Sequence, residues 1–217
     1  MGRSIVDICN EALGEVPADQ ISDIDDASSM SAKHCKRLYP GVVSDLLESE
    51  NWDFATRRAA LAPVANSRPS EWAYAYALPT DLRSPIRVLP AESGTGIGFA
   101  APGTQALIEQ FVNSIEYVIA DGVLFTSLAD AVLEYSADDV KPTAFTAMFA
   151  RLVVLTLAYR LVMPLIGDAS RQRQLFDMME LQRQRAVADE ANRDRDASGF
   201  VSERAMARGV GYVSGRR

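Results

Sequence analysis

The chain has 217 residues, 48% hydrophobic and 24% charged, with a formal net charge of −7. That apolar content supports a buried core in one domain or two small ones and is ordinary for a globular protein. Residues 1–60 and 61–169 each hold 6 basic and 11 acidic groups, residues 170–196 hold 6 of each, and residues 197–217 hold 4 Arg against one Glu. An acidic body argues against DNA binding through phosphate contacts, which need basic patches, and the basic tail is a separate feature.

The first 14 residues carry one Arg and are cut by Asp7 and Glu11, which predicts neither a signal peptide nor a lipid anchor. Ser4 and Asp7 have capping-box spacing, with Asp in place of the usual Glu or Gln. Ile5, Ile8, Cys9, Ala12 and Leu13 follow at helical spacing, and Gly14 is expected to end that helix. Asp23, Asp25 and Asp26 lack the Gly and distal Glu of a calcium loop and are read as capping the next helix, predicted over about 28–51. Its apolar face is Met30, Cys35, Leu38, Tyr39, Val42, Val43, Leu46 and Leu47, with a kink or break expected at Pro40-Gly41. Cys9 and Cys35 fall in helical patterns and need not pair, which fits a reducing compartment. His34 is the chain's single histidine; zinc there would need two ligands beyond Cys35, and only Cys9 is available.

After Trp52 the period changes to two. Trp72, Tyr74, Tyr76 and Leu78 alternate with Ala73, Ala75 and Ala77, which predicts a strand with one large-residue face, stopped by Pro79. Ile86 and Val88 mark a short second strand between Pro85 and Pro90. Gly94, Gly96 and Gly98 lack the spacing and following helix of a dinucleotide loop and predict a flexible loop. Strands are expected at 107–112, 115–120 and 123–126, the last two joined by an Asp121-Gly122 hairpin turn, and at 131–137.

Residues 145–163 are apolar on every side, including Phe149, Leu157 and Leu161, so this is a helix that must be buried. Arg151 and Arg160 interrupt the run and leave it short of the ~20 apolar residues of a membrane span. Pro142 suits its first turn, and Pro164 with Gly167 its end. Asp168 or Ser170 caps a second helix on which Leu175, Phe176, Met178, Met179, Ala186 and Ala191 form one apolar stripe among charges. Helices, an antiparallel meander, then a helical hairpin make an α+β fold. The organisation predicted is N-terminal helices of a bundle over 1–52, an inserted antiparallel β-sheet or sandwich part over 53–140, a hairpin completing the bundle over 141–196, and a flexible basic tail over 197–217. Trp52, Phe54, Trp72, Tyr76, Phe149, Leu157 and Leu161 are the expected structural core. In the tail, Phe200, Val201, Met206, Tyr212 and Val213 supply apolar anchors beside Arg204 and Arg208, the composition of a binding arm that orders on contact.

The sequence holds no P-loop, nucleophile elbow or metal-ligand motif, so it predicts no catalytic, cofactor or metal residues. A carboxylate pair formed in space keeps a glycan-acting hydrolase open as one alternative, and a helical interaction module is another. Trp72, Tyr74 and Tyr76 also read as a stacking platform, though a β face packed on a helix is the commoner arrangement.

Several blocks together resemble the head-to-tail adaptor family of short-tailed phages, known as tail tubular protein A. They are the Asn-Glu-Ala-Leu-Gly-Glu-Val-Pro run at 10–17, Cys35 to Arg37, Leu38-Tyr39-Pro40, Leu46-Leu47 and Trp52-Asp53-Phe54-Ala55. Trp72, Tyr76, Leu78-Pro79 and Asp81 follow, then Leu157-Ala158-Tyr159-Arg160-Leu161, Gly167-Asp168 and the long charged helix. The resemblance covers nearly the whole chain to about Asp196. It implies a virion structural protein assembled in the host cytoplasm, a ring of twelve subunits between the portal protein and the tail tube or nozzle. It implies DNA only in transit through the channel, no membrane, no cofactor and no catalysis.

Overall fold

The computed structural model describes residues 3–91 and 115–197. Among these, four helices and two small antiparallel sheets form an α+β fold. The expected strand at 107–112, the loop at 94–98 and the tail residues Phe200, Val201, Arg204, Met206, Arg208, Tyr212 and Val213 lie outside the described residues.

Helix α1, Ile5–Glu15, starts on a complete capping box, in which the Ser4 side chain accepts from the Asp7 N–H and Asp7 accepts from the Ser4 N–H. Gly14 does not end it; the last helical residue is Glu15, and Val16 caps it, its N–H bonding the Leu13 carbonyl. Helix α2, Met30–Ser49, is capped by Ser29. The aspartates before it build the loop instead: Asp23 accepts from the Asp25 N–H and Asp26 from Ser28. The expected break at Pro40-Gly41 is absent, and α2 runs through both residues. Both sit on its exposed side, where the carbonyl that Pro40 leaves without a helical donor can face water.

Pro142 does not open the core helix. It starts a separate 3-10 turn, Pro142–Ala144, and α3, Ala147–Leu165, begins after Thr146, whose hydroxyl accepts from the Phe149 N–H. Pro164 lies inside the last turn of α3, and Gly167 at φ 73° ends it, its N–H on the Val162 carbonyl. Seven consecutive residues, 152–158, are buried. By length and composition α3 could cross a membrane, but here most of it lies inside the protein, packed by α1, α2 and α4. Helix α4, Ala169–Ala197, opens where Asp168 accepts from the Ser170 and Arg171 N–H groups.

The sheets are not a meander. Strand β6, Ala131–Ala137, lies between β1, Thr56–Ala60, and β3, Leu82–Pro90, so the middle strand is the last in sequence. The second sheet has β5, Val123–Thr126, between β2, Tyr74–Ala77, and β4, Tyr117–Ala120. The β4–β5 turn is the expected Asp121-Gly122 pair, both at positive φ, 53° and 75°, as a type I′ hairpin requires. Strand β3 is longer than the alternation of Ile86 and Val88 implies and contains Pro85. It pairs on one side only, and its register shifts on both sides of Ser84-Pro85, where a proline is tolerated. Strand β1 carries no alternating apolar signal and is found only in the structure.

The two sheets share a second core of Leu61, Tyr76, Val88, Leu124, Leu133 and Tyr135. Tyr76 is buried and its hydroxyl donates to the Leu128 carbonyl. Trp72 is not a core residue. It is half-buried in the turn before β2, outside both apolar clusters, because the strand begins only at Tyr74.

Phe149, Leu157 and Leu161 are fully buried in the helical core, and Trp52 joins them from the end of α2. The Trp52 ring packs edge-on against Phe149 at 4.9 Å, and its indole N–H donates to the Leu46 carbonyl at 2.8 Å. Half-buried Phe54 contacts both Phe149 (4.8 Å) and Phe145 (5.8 Å). Trp52→Ala is therefore expected to lower unfolding free energy by roughly 3–5 kcal/mol. Urea melts of the two proteins measure it, and equal midpoints would refute the assignment.

Candidate functional site

The residues that connect the helical bundle to the β part form the best-defined constellation of polar groups. The first element is Arg83 on β3, whose side chain is 11% exposed. It donates to the carbonyl and hydroxyl of Ser44 on α2, bonds Glu48 at 3.3 Å, and pairs with Asp138 beyond β6. One guanidinium thus ties α2 to both sheet strands, which its planar set of donors allows and a lysine would not.

Beside it, Arg57 on β1 holds Asp81 (2.6 Å) and Asp139 (2.8 Å), and the Tyr135 hydroxyl donates to Asp81 at 2.8 Å. That hydroxyl and the Arg57 guanidinium hold the Asp81 carboxyl below its ordinary range, so it stays ionised and is a poor proton donor. On the other face of the same sheet, Arg58, Glu134 and Arg87 stand in register across three strands, with Glu134 bonded at 2.6 and 3.1 Å. Glu134 is buried and neutralised on both sides, which is a structural use of a carboxylate.

Cys9, Cys35 and Tyr39 belong to the apolar core of the helical bundle. Cys9 and Cys35 are buried free thiols on facing helices; their mutual hydrogen bond and burial push the Cys9 thiol up, away from the nucleophilic thiolate. Burial pushes the adjacent Tyr39 phenol up to about 12. His34 is half-buried, its ring nitrogen 3.1 Å from an Arg37 nitrogen. No group of three or more His, Cys, Asp or Glu side chains with metal-binding geometry occurs among the described residues.

The helical hairpin carries several exposed apolar side chains. Leu175, Met179 and Ala186 face inward, as the predicted stripe requires; Ala191 is exposed instead, and so are Phe176 and Met178. At about 100° per residue the last two turn away from the Leu175 line, and with Leu181 they are 46%, 40% and 49% exposed. Phe176 meets Tyr159 of α3 at 5.8 Å, and Met163 and Ile166 are exposed near the same turn. Ion pairs of α4 to Glu15, to Glu50 and within the helix use Arg171, Arg183 and Arg193. Arg173, Asp177, Glu180 and Arg185 take part in none among the described residues.

Sequence reasoning missed Arg83, Glu134 and Glu190, because nothing in their neighbours distinguishes them from surface charges. Glu190 is buried near the end of α4 and accepts from the Asp53 N–H at 2.5 Å, fastening the helix to the chain just past Trp52. Asn10, by contrast, sits inside the 10–17 run and clamps the following loop through both the N–H and carbonyl of Ile21, each at 2.8 Å.

No protein-family model matches this chain, and no curated protein matches it.

Burial raises the Glu190 carboxyl above its ordinary value, against the lowering effect of the Asp53 N–H. The folded state therefore binds this proton more tightly than the unfolded state, so the group's contribution to stability falls as pH rises through the carboxylate range. Glu190→Gln keeps an acceptor for the Asp53 N–H without the buried charge. Its Tm is expected to exceed the parent's at pH 7 and to match it near pH 4; a Tm below the parent's at pH 7 would contradict this account.

Proposed function

We propose that this chain is a virion structural protein, the subunit of a ring that joins a capsid portal to a tail tube and lets DNA pass, without catalysing a reaction. The observation that carries the reading is where the blocks resembling the adaptor family fall. Asn10 clamps the Ile21 loop, Trp52 and Phe54 join the bundle to the β part, and Asp81 anchors the strand network. The shared residues thus serve one architecture rather than a cleft. The hairpin supports an assembling role, because Met178 and Leu181 stand exposed among charges, and Phe176, though it meets Tyr159, is still 46% exposed. A neighbouring subunit in the ring covers these side chains. The acid excess of residues 1–169 suits the channel, where it repels DNA phosphates and keeps the genome from sticking.

Electron micrographs of the purified chain, alone and mixed with portal, test the reading. Rings are expected only with portal; a monomer under both conditions would overturn it. Lateral contacts through α4 include exposed ion pairs worth ~0–1 kcal/mol each, so ring yield should fall as salt rises. A ring indifferent to salt would assign those contacts to the apolar residues alone. Deleting residues from Ala197 onward should leave Tm nearly unchanged and abolish stable portal docking, and normal head-to-tail joining by the truncated chain would remove the tail from the mechanism.

A further inference from the structure

A groove of about 510 Å³ runs along the flank of α2 where that helix meets the β part. Tyr39, Pro40, Val43 and Leu47 form one wall, their spacing placing them on one side of the helix. Val140 and Pro142, from the segment that follows β6, form the other. The polar end is the Arg83 clamp. There Arg83 is shared by Glu48 and Asp138, whose side chains remain 63% and 62% exposed. One guanidinium group against two carboxylates leaves an excess negative charge beside the apolar trough. Such a site fits a segment that alternates apolar side chains with arginines.

This chain carries one. Residues 198–217 hold four Arg against one Glu, with apolar side chains interleaved, such as Met206 between Arg204 and Arg208. They follow α4, which Glu190 fastens to Asp53, a few residues past the groove wall at Leu47. We propose that the groove is the docking site of the same chain's residues 198–217. Twenty residues reach up to roughly 65 Å when extended, enough to return to α2 from the end of α4. Tethering also raises the effective concentration of the segment to the order of millimolar, so a contact too weak to form between separate molecules is occupied within one. The docking belongs to the free chain, and a portal that takes up the same segment draws it out of the groove.

The test uses the full chain with a photo-reactive phenylalanine analogue at position 206. Illumination is expected to crosslink it, within one molecule, to residues 39–47 or 138–142. Pro40→Lys places a like charge in the trough while replacing a helix-interior proline by a better helix former, so the fold is kept. It should cut the crosslink about fivefold. Ile5→Lys, at an exposed residue lining the same groove, should do the same. Crosslinks elsewhere on the body, crosslinks only between molecules, or a yield unchanged in both variants would overturn the proposal.

Discussion

The structure depends on hiding one helix. Residues 152–158 of α3 are buried without a break, and a helix apolar on every side gains stability only if neighbours cover every side. The three other helices supply that cover: α1 and α2 from one end of the chain, α4 from the other. Because α1 and α2 precede the β part and α4 follows it, the helical core closes only when distant parts of the chain meet. The β part is held in place as a consequence, its entry at Trp52 and its exit at Phe145 both anchored on Phe149.

Polar residues decide how the two parts are oriented. Arg83, Arg57 and Glu190 each bridge elements far apart in sequence, and each leaves its partner few alternative geometries. The partners Glu48, Asp138 and Asp139 are mostly exposed, so the ion pairs of Arg83 and Arg57 add little net stability and serve to tie the elements together. The same use of charge explains why the abundant carboxylates of this chain are chiefly fasteners. Asp81 and Glu134 are committed to arginines across strands, and Glu190 to a backbone N–H.

The helical hairpin exposes Met148, Met163, Ile166, Phe176, Met178 and Leu181 on a body whose elements are tightly fastened. The exposed apolar residues of the hairpin and the groove beside α2 lie on elements whose backbones are fixed by the core. Positions of this kind keep their geometry when a partner arrives, so less ordering entropy opposes docking.

The sequence by itself determined the helices, the β character of the middle of the chain, the capping box, the Asp121-Gly122 turn and the burial of α3. Each depends on contacts within a few residues: a period, a cap, a positive φ. Tertiary structure decided the rest. Phe176 and Met178 share a sequence stripe with Leu175 but face outward, since only the position of α3 fixes which part of α4 is inside. Pro40 does not break α2, because packing on the opposite face holds the helix together across the missing bond. Strand β1 exists because β6 lies beside it, and β6 takes the centre of its sheet through pairings more than forty residues apart. Arg83 and Glu190 could not be told from surface charges, because their roles come from partners that local sequence does not specify.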